Sequence, residues 1–133
     1  MDATIAMKIR SLLSLAALAL VASTARAEGP SDSLTWTAQG RLRIQSTVVV
    51  SDGCYSAGPA QAGAPEGERP IRDAVLVTFP LEHSGQAACT QALKPIRFSM
   101  TTEAPAGAKA VIIYTTDKRR NSVDVRALAL PSR

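Results

Sequence analysis

The chain has 133 residues, of which 46% are apolar, and carries 15 basic against 11 acidic side chains and two cysteines. That length frames a single domain. Apolar content of this order excludes a disordered chain, and a formal charge of only +4 makes no strong claim on nucleic acid.

Residues 1–27 read as a targeting segment. Lys8 and Arg10 form a positive region, residues 12–22 are apolar apart from Ser14, and Ala25, Arg26 and Ala27 give a small-x-small cleavage pattern. Cleavage is expected after Ala27. A membrane-spanning helix needs about 20 apolar residues, roughly twice what this stretch offers. Asp2 lies where positive charge belongs, which points to Met7 as the start of translation. The mature domain is then 28–133, soluble and without a transmembrane segment, with twelve basic and ten acidic residues and a formal charge of +2. Its compartment is the periplasm, or the extracellular space.

From residue 34 to 50 the even positions are Leu34, Trp36, Ala38, Gly40, Leu42, Ile44, Ser46, Val48 and Val50, while the odd positions up to Thr47 are polar. This alternation marks a strand with one face in a core and one in water. A one-residue slip would bury Arg41 and Arg43, so the register is fixed. As a single strand it would be about 55 Å long, well beyond the usual length. A break at Gly40 or near Ser46 is expected, with the two halves serving different sheets.

Ser51, Asp52 and Gly53 form a turn signal, with Gly53 supplying a positive backbone angle. Residues 56–72 carry Gly58, Pro59, Gly63, Pro65, Gly67 and Pro70 among alanines and charges, the pattern of a long surface loop. Residues 74–79 form a strand with Val75, Val77 and Phe79 on one face, ended by Pro80. A second alternating strand covers 96–102, with Ile96, Phe98 and Met100 inward. After a turn at 104–107, residues 110–116 are apolar on both faces and β-prone, which suggests a central strand. Residues 117–121 form a hairpin connection, and 122–130 close the sheet with Val123, Val125 and Ala127 pointing one way.

Cys54 and Cys89 are the only cysteines. In an exported chain an isolated pair forms an intrachain disulfide, and its long loop makes the bridge a useful supplement to a modest core. The spacing does not fit a Cys-x-x-Cys redox pair. Two cysteines and one histidine at these spacings give no metal site, and no cofactor is expected.

The chemistry is otherwise sparse. His83 is the sole imidazole and reads as an exposed loop residue. Its neighbours Glu82 and Ser84 point away from it on an extended chain, so the three are not a triad. Candidate carboxylates for glycoside cleavage are Asp52, Glu82, Glu103 and Asp124, which spacing alone does not pair. Lys118, Arg119 and Arg120 at the hairpin tip are the densest charge, and Arg41 and Arg43 extend them into a candidate patch for an anionic surface or an acidic partner loop. Glu66, Glu68, Arg69 and Arg72 mark the long loop as a candidate binding element.

No stretch after Ala27 keeps a 3.6-residue apolar period. The expected fold is therefore all-β, a small antiparallel sandwich of five to seven strands with one disulfide. The pattern resembles the architecture of immunoglobulin-like and fibronectin-like domains. The function expected is that of a non-catalytic exported module that binds another envelope protein. The alternatives are a small exported inhibitor of a protease or hydrolase acting through the 56–72 loop, and an unrecognised hydrolase.

Overall fold

A computed structural model describes residues 31–133; the expected targeting segment lies outside them. The described residues form eight strands and no helix: β1 (Ser31–Trp36), β2 (Leu42–Val50), β3 (Tyr55–Ala57), β4 (Gln61–Ala62), β5 (Ala74–His83), β6 (Lys94–Thr102), β7 (Ala110–Asp117) and β8 (Ser122–Ala129). They build two sheets, one of order β1-β2-β6 and one of order β3-β5-β7-β8 with β4 also paired to β5. The chain is a small β-sandwich, and the strands number eight because β3 and β4 lie in and beside the stretch expected to be loop.

The long alternating stretch breaks at Gly40, which takes a positive φ of 75° in the turn, as glycine does at little cost. Its halves, however, share one sheet. Leu34 pairs with Ile44 and Trp36 with Leu42 in an antiparallel hairpin, because a tight turn returns the chain alongside itself and gives no length for a crossing between sheets. Leu42, Ile44 and Ser46 are buried while Arg43 and Gln45 are exposed, so the register follows the alternation.

The second sheet departs from an all-antiparallel sandwich, since β5 and β7 pair in parallel from Ala74 opposite Ala110 to Leu81 opposite Asp117. Between them the chain crosses to the first sheet as β6, and two crossings restore its direction. β7 is central, between β5 and β8, as its two apolar faces require. Pro80 does not end β5, which runs on to His83. Register shifts by one residue between Ala57 opposite Leu81 and Gln61 opposite Thr78. Pro80 sits at this bulge, where its missing N–H costs no ladder bond and its carbonyl accepts from the Gly58 N–H at 2.8 Å.

The core lies between the sheets. Leu42, Ile44, Val77, Phe79, Val111 and Ile113 are fully buried, and Phe79 of β5 stacks on Phe98 of β6 with ring centroids 5.0 Å apart. The Trp36 indole N–H donates to the Pro131 carbonyl at 2.8 Å, and the Arg133 guanidinium lies 4.1 Å from the Trp36 ring, which ties down the C-terminal end.

One polar network spans the two sheets. The Arg126 Nε of β8 donates to Asp32 Oδ2 of β1 at 2.8 Å, and its Nη2 donates to Asp32 Oδ1 at 3.1 Å and to Ser46 Oγ at 3.0 Å. Ser46 Oγ donates in turn to Asp32 Oδ1 at 2.6 Å. Burial alone would raise the Asp32 pKa, but the hydrogen bonds from Arg126 and Ser46 and the Arg126 charge outweigh it and hold the carboxyl below its usual range. This network sets which face of β8 is inside. Arg126 and Leu128 turn inward, while Val123 and Val125 are 41% and 50% exposed.

Candidate functional site

Two features stand at the sandwich end that holds the 118–121 turn. The first is a polar cluster around the disulfide. Cys54 and Cys89 are joined with their Cα atoms 5.5 Å apart, a normal span. Just before the bridge, Asp52 folds back so that its Oδ1 accepts from the Cys54 N–H at 2.9 Å, an Asx turn. Gly53 is needed here for close approach and not for a positive φ, which it does not adopt. Its N–H donates to the Thr90 carbonyl at 2.9 Å, and a side chain at this position would run into Thr90.

Asp52 Oδ2 lies 3.0 Å from His83 Nε2. His83 is therefore no exposed loop residue. It ends β5 with its side chain only 5% exposed, edge-on to the Tyr55 ring at 4.8 Å. The Gly85 N–H donates to its Nδ1 at 2.9 Å, which assigns the ring hydrogen to Nε2, directed at Asp52. The Asp52 carboxyl is held below its usual range first by the Cys54 N–H, then, against burial, by the His83 hydrogen bond and by the charge of Arg119. The Arg119 guanidinium closes the outside of the cluster against both ring nitrogens.

Next to it, the buried Tyr55 hydroxyl donates to Asp117 Oδ2 at 2.7 Å. The other Asp117 oxygen accepts from the backbone N–H groups of Arg119 and Arg120 at 3.1 and 3.4 Å. One carboxylate thus orders the hairpin turn and anchors β3. That hydrogen bond, with burial and the Asp117 charge, raises the Tyr55 pKa above its ordinary 10.0.

The ligand atoms of Asp52, Cys54, His83 and Cys89 lie within 4.8 Å of one another. As a metal site the set is nonetheless poorly built. Both sulfurs are consumed by the disulfide, and thiolates are the ligating form. A ligating histidine donates its second ring N–H to an acceptor, whereas the second nitrogen of His83 accepts from Gly85.

The second feature is a groove of about 480 Å³ on the outer face of the larger sheet, lined on one side by Pro59, Gln61, Pro65 and Glu66 and on the other by Lys118, Asn121, Ser122 and Val123. Its floor includes Thr78, Pro80 and Thr116. The expected loop forms one wall. Its first part is pinned by β3 and β4, by the Gly63 N–H donating to the Leu76 carbonyl at 2.8 Å, and by Thr78 Oγ1 donating to the Gly63 carbonyl at 2.8 Å. Glu66, Glu68, Arg69 and Arg72 are all exposed, and Glu66 reaches the groove.

The expected cationic patch is split. Lys118, Arg119 and Arg120 do occupy the β7–β8 turn, with Arg119 engaged on His83. Arg41 and Arg43 belong to the opposite end, because β1 runs alongside β8 from the Asp32–Arg126 contact to the Trp36–Pro131 contact and then turns at Gly40. Among the candidate carboxylates, Asp52 pairs with His83, Asp124 accepts from Arg126 at 2.5 Å and Glu82 lines the groove. Neither Tyr55–Asp117 nor Arg126–Asp32 is announced by spacing, since the partners are 62 and 94 residues apart. In comparisons with known proteins the chain matches no family model, no curated protein and no solved structure.

Proposed function

We propose that this chain is an exported, non-catalytic binding module of the cell envelope, which takes an extended segment of a partner protein in the groove between residues 59–66 and the β7–β8 turn. The groove carries the proposal. Its size lies in the range of ligand clefts, and its lining mixes apolar Pro59, Pro65, Pro80, Leu81 and Val123 with hydrogen-bonding Gln61, Thr116 and Asn121. Export is supported by the disulfide, which persists in an oxidising compartment. The non-catalytic reading is supported by His83, whose two nitrogens are committed to Asp52 and Gly85 behind Arg119.

Thr116→Trp fills the groove from its floor and leaves the core intact. The purified wild-type protein should capture a partner from a source envelope extract that Thr116→Trp does not. Equal capture by both proteins removes the groove from the account.

The inhibitor reading draws on a separate observation, the pinning of the 56–63 stretch onto β5, since a pre-organised loop binds a cleft at lower entropic cost. In that reading the exposed side chains from Glu66 to Arg72 would enter the enzyme.

A further inference from the structure

The sheet edges of this sandwich are not protected alike. Natural sheets discourage edge pairing with proline, charge, bulges or short strands. β6 carries Pro95 and Arg97, β3 and β4 have three and two residues with a bulge between them, and β1 presents Ser31, Asp32, Ser33 and Thr35. β8 has eight residues, no proline, no lysine and an unbroken register against β7, and its two charges, Asp124 and Arg126, are paired with each other. It is also the only described edge strand with large exposed aliphatic side chains, Val123 at 41% and Val125 at 50%.

We propose that β8 pairs with β8 of a second copy of this chain, antiparallel about Val125, so that the two larger sheets join across a two-fold axis. The sequence of the strand is self-complementary in that register. Asp124 stands opposite Arg126 of the second copy, Val123 opposite Ala127, and Val125 opposite itself. Directly opposed residues share a face, so the valines and alanines meet on the outer face and the charges on the inner one. Moving the axis by one residue either way sets Asp124 against Asp124 or Arg126 against Arg126, like-charge pairs that destabilise a sheet. The Asp124 side chain is 64% exposed, so the two copies can exchange their Asp124–Arg126 contacts, which leaves each guanidinium with the same number of partners. An interface of this kind is isologous and closes as a dimer, not a fibre.

Sedimentation equilibrium of the purified protein should report a dimer whose dissociation follows mass action. Val125→Lys places two cations opposite each other at the axis and should give a monomer at every concentration with an unchanged circular dichroism spectrum. Opposed residues in an antiparallel pair have Cα atoms about 4.5–5.5 Å apart, within the span of a disulfide. Val125→Cys should therefore give a covalent dimer on mild oxidation, and Arg97→Cys, on an edge of the other sheet, should not. A wild-type monomer up to millimolar concentration overturns the proposal. So does a dimer that survives Val125→Lys and fails to cross-link through Val125→Cys, since another surface would then carry it.

Discussion

Tyr55 and Asp32 are the two residues at which burial and charge bear most directly on stability. The Tyr55 pKa is raised in the fold, so its contribution is complete below the unfolded value near 10.0 and is lost as pH rises through the folded value. The protein should lose stability above about pH 10, and Tyr55→Phe should flatten that alkaline limb. The same change should cost about 1–3 kcal/mol at neutral pH by leaving the buried Asp117 oxygen without its donor. The Asp32 pKa is lowered, so its contribution is present above the unfolded value of 3.8 and is lost as pH falls through the folded one. Asp32→Asn should remove part of the acid limb and cost about 1–3 kcal/mol, because the inner side of the Arg126 guanidinium loses its charged acceptor and only the exposed Asp124 remains as counter-charge. Urea unfolding across pH checks both expectations.

At this scale the sequence was legible where one residue type has one use. The two cysteines had each other as partners, and Ile44 in an alternating run had only the core. Asp52 and His83 were not legible as a pair because their contact depends on β3 lying against the end of β5, a long-range pairing that no local pattern encodes.

β2 and β8 show what alternation does and does not decide for a strand. In β2 every second residue from Leu42 to Ser46 is buried, and Ile44→Asp should leave the domain unfolded, as seen by loss of near-ultraviolet dichroism. In β8 the alternation was equally clear, but the more apolar set, Val123 and Val125, is outside. The inner set holds Arg126 because Asp32 across the sandwich and Asp124 on its own strand give the guanidinium partners. Alternation separates two faces, and only the opposing sheet says which one is inside. For β4 and the Ser56–Ala57 part of β3, glycine and proline content suggested loop, yet both strands pair with the exposed edge of β5. Limited proteolysis should leave residues 55–63 intact and cut at Arg69 or Arg72. Early cleavage before Gly63 would mean that the pinning hydrogen bonds are weak in solution.

For the whole molecule, the fold class was legible and the strand order was not. Five long strands announced themselves through periodicity, and a sandwich is the ordinary way to bury their apolar faces. The parallel β5–β7 pair follows from the path through β6 in the other sheet, which is a global property. The disulfide ties the start of β3 to the 84–93 segment at the same end as the candidate sites. Replacing both cysteines by serine should cost about 3–4 kcal/mol for a separation of 35 residues. If the bridge mainly restrains the unfolded chain, the core should still form, and thermal unfolding should stay cooperative at a lower midpoint. The scaffold thus holds the groove between two anchored walls, the 59–66 stretch hydrogen-bonded to β5 and the hairpin turn ordered by Asp117. Site-specific photocross-linking in the source cell envelope tests the binding account most directly. A cross-linker at Ser122, on the groove wall, should give a covalent adduct with a distinct partner protein, and one at Arg97, on the other sheet, should not. Equal labelling from both positions, or none from Ser122, would contradict it.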